Sequence, residues 1–346
     1  MRAAVLTAPR SLEVRDVPVP TPAPGDALVA VHRVGLCGTD VEFFEGTMSY
    51  LHSGHARFPL RLGHEWMGVV EAVGDRADET WVGRAVIGDT MLGCGVCDRC
   101  RTNRGHVCEH RSEVGIRAGR DGALAEYIAV PVSSLHAIAD SMDPALGALV
   151  EPGGNAVRAV RAAEAGPGRR VLVLGTGTIG LLSAMFARAA GAEVHLLGRS
   201  ARSDRSRRFA RELGFAEAWT LETLPDLAWH AVIDASNAPE LPALATRLVE
   251  PGGRIALIGL AGEPSLVDTR DLALADVTAV GILSGSHGLD EAIDAYATGR
   301  VDPAPLVAAT VPLSGVGSVL AGERPAGAGD GPKVHVDPRL GPADHG

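Results

Sequence analysis

Apolar positions fall into two regimes along the chain. Over residues 1–35 short β-rich runs alternate with proline, as in VPVPTPAPGDALVAVHRVG, which predicts a twisted antiparallel sheet entered through a Pro-rich turn. From about residue 170 buried runs alternate with helical spacing. Val171 to Leu174 leads straight into Gly175, Gly177 and Gly180, and LLSAMFARAA then carries apolar side chains at helical spacing until Gly191 stops it. This predicts a strand, a tight turn and a helix. Downstream, EVHLL, HAVIDASN, GGRIALIGL and DVTAVGILSG read as further buried strands, separated by helices such as LPALATRLVE. Such alternation predicts an α/β fold with a parallel doubly wound sheet. AGERPAGAGDGP reads as a Gly-rich surface loop, and the tail GPADHG as disordered.

The glycine turn carries the first chemical signal. Gly175 lets the chain turn, Gly177 lets a pyrophosphate approach bare backbone, and Gly180 lets helix and strand pack closely. Free N–H groups at the helix start, around Thr178 and Ile179, face the phosphates. A GxGxxG that follows a buried strand and opens a helix points to a dinucleotide, against the plainer reading of a structural turn.

At 346 residues the chain has room for about two domains. Its 42 acidic against 32 basic residues give a net charge of -10, which repels phosphodiester backbones, so nucleic acid is not an expected partner. No apolar run reaches the ~18 residues that span a bilayer, and the N-terminus lacks the apolar core of a signal peptide. A cytoplasmic protein away from membranes is expected. Lys333 is the only lysine among the 32 basic residues, which reads as codon bias and not chemistry. It excludes the short-chain reductase mechanism, because none of Tyr50, Tyr127 or Tyr296 has a lysine four residues later.

Metal-competent residues cluster instead. GLCGTD holds Cys37, Thr39 and Asp40, and GHE follows with His64 and Glu65. Cys, His and Glu are all zinc ligands, and three protein ligands with one open position suit a catalytic zinc, although spacing alone does not make them converge. Cys94, Cys97, Cys100 and Cys108 fall within fifteen residues; such short spacings let one loop wrap a tetrahedral ion whose four thiolates leave no room for substrate. That site should be structural, and a disulfide-bonded lobe is the alternative.

GLCGTD, GHE, the four-cysteine lobe and GTGTIG, in this order, resemble the zinc-dependent medium-chain dehydrogenases over nearly the whole chain, most closely the sorbitol, threonine and glucose dehydrogenase branches. The resemblance implies a GroES-like, mostly β catalytic domain over 1–152 and 289–346, with the structural zinc lobe at 91–110. It implies a Rossmann cofactor domain over 153–288. It makes Cys37, His64 and Glu65 ligands of a catalytic zinc, with Glu151 binding zinc directly or holding its water. It gives Thr39 the substrate proton, places Ser236, Leu260 and Leu283 beside the cofactor, and leads to two zinc ions per chain, NADP or NAD, and a homodimer or homotetramer.

Three departures refine this. Where alcohol dehydrogenases commonly carry a relay histidine, five residues after the catalytic cysteine, this chain has Glu42. PGGNAV follows Glu151 where relatives carry bulkier residues, so Asn155 becomes a possible polar contact. After EVHLL, the position of the acid that binds the adenosine ribose in NAD-using relatives holds Gly198, followed by Arg199 and Ser200, which suits a 2′-phosphate. The expected reaction is hydride transfer between a secondary alcohol, of polyol, sugar or aminocyclitol type, and a nicotinamide cofactor, NADP ahead of NAD. A simpler alcohol or threonine-like amino alcohol with NAD is the runner-up, and a non-catalytic nucleotide-binding scaffold is the reading from another class.

Overall fold

The computed structural model describes residues 1–198, 204–216 and 218–341. Two compact units emerge, one of Met1–Glu151, Val307–Gly329 and the chain from Lys333 on, the other of Pro152–Leu306 with Asp330–Pro332.

In the first unit β1 (Arg2–Ala8) and β2 (Ser11–Asp16) form an antiparallel hairpin. The next strand, β3 (Asp26–Gly35), alternates buried and half-buried residues along most of its length, as a pleated strand with one face on a core must. Helix α1 (Gly38–Glu45) follows, then β4 (Glu65–Val73), β5 (Ala85–Gly88), β6 (Tyr127–Pro131) and β7 (Leu135–Ala137). Phe43, Leu62, Trp66, Leu124 and Ile128 are fully enclosed among these strands.

Helix α2 (Val150–Ala162) carries the chain into the second unit, where the expected alternation is found. Its elements are β8 (Arg170–Leu174), α3 (Thr178–Ala189), β9 (Glu193–Leu197), α4 (Asp204–Glu212), β10 (Ala218–Trp219), β11 (Trp229–Asp234), α5 (Leu241–Leu248), β12 (Val249–Leu257) and β13 (Thr278–Gly281). The strands pair in parallel in the order β10-β9-β8-β11-β12-β13, a doubly wound sheet whose order reverses at β8. Residues 171–174 of β8 are wholly buried because helices cover both faces of such a sheet.

Two expectations are corrected here. DVTAVGILSG does not form a buried strand: β13 ends the sheet, with Thr278, Ala279 and Gly281 exposed. Nor does the chain return to the first unit at residue 289. Helix α6 (Leu289–Ala297) buries Leu289, Ala292, Ala295 and Tyr296 inside the second unit, and the chain rejoins the first only from Val307 on, through β14 (Val307–Val311) and β15 (Lys333–Val336). There they extend the antiparallel sheet to β14-β15-β3-β4-β5-β7, with β6 also on β3. The tail GPADHG lies outside the described residues from 342 on.

His335 on β15 is fully buried, and neither ring nitrogen has a hydrogen-bond partner among the described residues. Burial, then the positive charges of Lys333 and Arg33, hold its pKa well below the usual 6.5. A folded-state pKa below the unfolded one means that the unfolded chain binds the extra proton, so stability is complete above that usual value and drains away as pH falls toward the folded pKa. His335→Leu should flatten this acid loss: the drop in Tm between neutral pH and mild acid should be smaller than in the wild type. An equal drop would show that His335 does not stay neutral in the fold.

Candidate active site and metal centres

Cys37 forms the N-cap of α1, and its backbone N–H donates to Asp40 Oδ2 at 2.8 Å, so the turn that starts the helix also fixes where the thiol stands. His64 closes the loop before β4, and Glu65 is the first residue of that strand. Donor atoms of Cys37, His64 and Glu65 lie within 4.8 Å of one another, with the two β4-side residues buried. The convergence that spacing could not establish is thus present.

Asp40, which sequence reasoning left without a role, is completely buried. Its Oδ1 lies 3.7 Å from His64 Nδ1 and accepts from the Gly63 N–H at 3.3 Å. Burial pushes its carboxyl up, against the attraction of His64. Burial by itself would lower His64, but Asp40, Cys37 and Glu151 together hold the imidazole well above its usual value. Two carboxyl groups and a cysteine around one buried imidazole mark a place that calls for a cation. Among the described residues His64 Nδ1 has no hydrogen-bond partner, a buried polar atom of the kind a charged partner satisfies.

Lys333 overturns the reading of the single lysine as mere codon bias. Its ammonium, 3 % exposed, donates to Glu65 Oε1 at 2.8 Å, to Glu65 Oε2 at 2.6 Å and to the Leu36 carbonyl at 2.9 Å. Burial would depress the ammonium, yet Glu65 ahead of Cys37 holds its pKa up. Gly35 lies between the partners, in register with Glu65 on β4 and with His335 on β15. A Cβ there would stand 2.1 Å from Glu65 Oε2, so only glycine lets the carboxylate cross the strand.

Other catalytic-side candidates fall nearby on the chain. Thr39 is half-buried in the first turn of α1, and Glu42, one turn on, is half-buried with its carboxyl pushed up by burial. Glu151 is buried at the start of α2, close enough to influence His64 but outside the cluster of three. Asn155 follows one turn later on the same helix face. Tyr50 lies on a short helix, Ser49–His52, and its hydroxyl donates to the buried Glu113 at 3.2 Å.

The four-cysteine lobe closes on itself. All four are free thiols whose sulfurs lie within 4.8 Å of one another, with Cys94 to Cys100 at 3.9 Å and Cys97 to Cys108 at 3.7 Å. A tetrahedron of metal–sulfur bonds of ~2.3 Å has edges of about 3.8 Å, so the donor set has the size of a zinc ion. The N–H groups of Val96 and Cys97 pull Cys94 down to about 6, whereas burial and its thiol neighbours push Cys100 up to about 11. This is a spread that metal binding would collapse to four thiolates.

On the second unit the glycine turn has the expected division of labour. Gly175 has φ +107°, open space surrounds Gly177 where a Cβ would be, and a Cβ on Gly180 would meet the Gly175 carbonyl at 2.1 Å. The uncovered backbone at Gly177, before the N–H groups of Thr178 and Ile179 at the start of α3, suits a pyrophosphate. Ser236 caps β11, its hydroxyl and N–H both donating to Asp234 Oδ1, and Leu260 and Leu283 are exposed. Arg199 and Ser200 lie outside the described residues.

Residues 23–140 match the model of the alcohol dehydrogenase GroES-like domain, and residues 178–298 match the zinc-binding dehydrogenase model. The chain is 32 % identical to an L-threonine 3-dehydrogenase of Saccharopolyspora erythraea, over 82 % of this chain and 83 % of that protein. It is 31 % identical to an enzyme of the same name from Thermococcus kodakarensis, with 83 % of each covered. Among solved structures, a zinc-binding dehydrogenase of Sinorhizobium meliloti bound to NADP superposes with a TM-score of 0.87 at 29 % identity, covering 97 % of this chain and 99 % of that one.

Removing one member of a buried pair strands the other in low dielectric. Lys333→Met should therefore cost about 3 kcal/mol in urea unfolding, and adding Glu65→Gln to it should restore part of that. Equal stability of Lys333→Met and wild type would contradict the pairing.

Proposed function

This chain belongs to the zinc-binding alcohol dehydrogenases, and on that premise we propose that it moves a hydride between a secondary alcohol and a nicotinamide cofactor. The observation that carries the reading is the convergence of Cys37, His64 and Glu65. Bound there, zinc supplies a Lewis acid for the alcohol oxygen, and a dinucleotide on the glycine turn supplies the hydride acceptor. Cys37, His64 and Glu65 hold the ion, Lys333 holds the Glu65 carboxylate in place, and Asp40 orients His64. Glu151 is the further candidate donor. The Thr39 hydroxyl takes the alcohol proton, and Glu42 and Asn155 bond the substrate's other hydroxyls, which favours a polyol, sugar or aminocyclitol. Cys94, Cys97, Cys100 and Cys108 hold a second, structural zinc whose four thiolates exclude substrate.

Gly175, Gly177, Thr178, Ile179 and Gly180 carry the pyrophosphate, with Ser236, Leu260 and Leu283 beside the cofactor. Gly198 in place of an acid, followed by Arg199 and Ser200, favours NADP over NAD. Five free thiols fit the reducing cytoplasm, and among the described residues no helix is long and apolar enough to cross a membrane. The edge strand β13, with its exposed Thr278, Ala279 and Gly281, supports a homodimer or homotetramer.

A second reading has support of its own. The relatives named L-threonine 3-dehydrogenase are 31 to 34 % identical, which favours an amino alcohol such as L-threonine, with NAD.

The test is a screen of polyols, sugars, cyclitols and L-threonine for reduction of NADP and NAD. Reduction of NADP by a polyhydroxylated substrate is expected, and turnover of L-threonine with NAD alone would establish the second reading. Cys37→Ser should lower kcat/KM by about a thousandfold while leaving about one zinc per chain. Undiminished activity in that variant would refute the catalytic assignment.

A further inference from the structure

The cysteine lobe takes three of its sulfurs from one short stretch, Cys94, Cys97 and Cys100, and the fourth from Cys108, the only one of the four that is buried. What holds Cys108 therefore completes the donor set, and two guanidiniums grip its backbone. Arg99 Nη1 donates to the Val107 carbonyl at 2.9 Å, and Arg111 Nη1 donates to the Cys108 carbonyl at 3.3 Å. Arg111 reaches further. Its Nε donates to Glu113 Oε1 at 2.7 Å and its Nη2 to the Tyr50 hydroxyl at 3.3 Å, while that hydroxyl donates to the same Glu113 oxygen at 3.2 Å. Arg117 completes the cluster, 3.9 Å from Glu113 Oε1 and with its guanidinium 5.5 Å from the Tyr50 ring centre. The side chains of Arg111, Glu113 and Arg117 are 14, 3 and 13 % exposed, so water screens these bonds far less than those of a surface pair. Glu113 also pairs with Met91 in the short ladder from which the lobe projects.

Tyr50 brings in a segment from outside the lobe, 61 residues before Arg111. That segment is fastened at both ends: the N–H groups of Thr47 and Met48 donate to the Glu42 carbonyl of α1, and the Ala118 N–H donates to the His55 carbonyl. We propose that Arg111 is a positioning residue for the metal of the cysteine lobe and that, through it, the metal and the segment 49–56 stabilise one another. The inference rests on the reading of the lobe as a zinc site. Groups outside the ligand set orient a metal's donors, and losing one costs about 10- to 100-fold in metal affinity. Four thiolates around a divalent ion carry an excess of negative charge, and Arg111 with Arg117 against the single carboxylate of Glu113 set positive charge beside it. Linkage makes the effect reciprocal: whatever the ion contributes to holding the segment, the segment contributes to holding the ion.

Zinc competition against a chromophoric chelator, in the full chain carrying Cys37→Ser so that the lobe alone is titrated, measures this without turnover. Added to that chain, Arg111→Met should weaken zinc about tenfold. Tyr50→Phe, far from the sulfurs in sequence, should weaken it about two- to fivefold. Hydrogen exchange over residues 49–56 should quicken when zinc is removed, and also in the zinc-loaded Arg111→Met chain. Unchanged zinc affinity in either variant, or exchange over 49–56 that does not respond to zinc, would overturn the proposal. Should Arg111→Met not fold, Tyr50→Phe and the exchange measurement decide it. If the Cys37→Ser chain binds no zinc, the reading of the lobe fails and the proposal with it, whereas zinc bound equally by that chain and both variants refutes the proposal alone.

Discussion

A carboxylate and an ammonium withdrawn from water, Glu65 and Lys333, meet across Gly35. Such a pair does not stabilise a fold by much, since desolvation consumes most of what the attraction returns. What it provides is position. With both carboxylate oxygens engaged by one Nζ, Glu65 has little freedom to swing away from Cys37 and His64. The sheet is built around that requirement: glycine at residue 35 clears the crossing, and β15 returns to the first unit on the far side of β3 with the lysine as its first residue.

Charge follows the same logic. Asp40, Glu65, Glu151 and the Cys37 thiol gather around His64 with Lys333 as the opposing cation, and the imidazole is held strongly toward its protonated form. A divalent ion placed among the three converging donors would supply the missing positive charge and release that proton. The cysteine lobe solves a different problem with the same metal chemistry, because its sulfurs already stand at tetrahedral spacing with no position left open.

The parts of this arrangement that sequence made legible are local ones. Strand, turn and helix around Gly175 are encoded within twenty residues, and the cysteine lobe within fifteen, so pattern and spacing suffice. Lys333 was not legible, because its partner is 268 residues away and its rarity had an innocent explanation in an arginine-rich chain. That rarity was nonetheless the available signal: one lysine kept at the start of a strand where every other basic side chain is arginine. Asp40 was visible inside GLCGTD, but only the fold shows it aimed at His64. The late boundary at residue 306 went unseen because the amphipathic α6 reads the same whichever unit it packs on.

The central claim is that Cys37, His64 and Glu65 share one metal ion. A crystal of the zinc-loaded protein measured on both sides of the zinc absorption edge tests it directly. The account predicts two anomalous peaks per chain, one inside the four sulfurs and one within bonding distance of Cys37 Sγ and His64. A single peak, confined to the cysteine lobe, would contradict it.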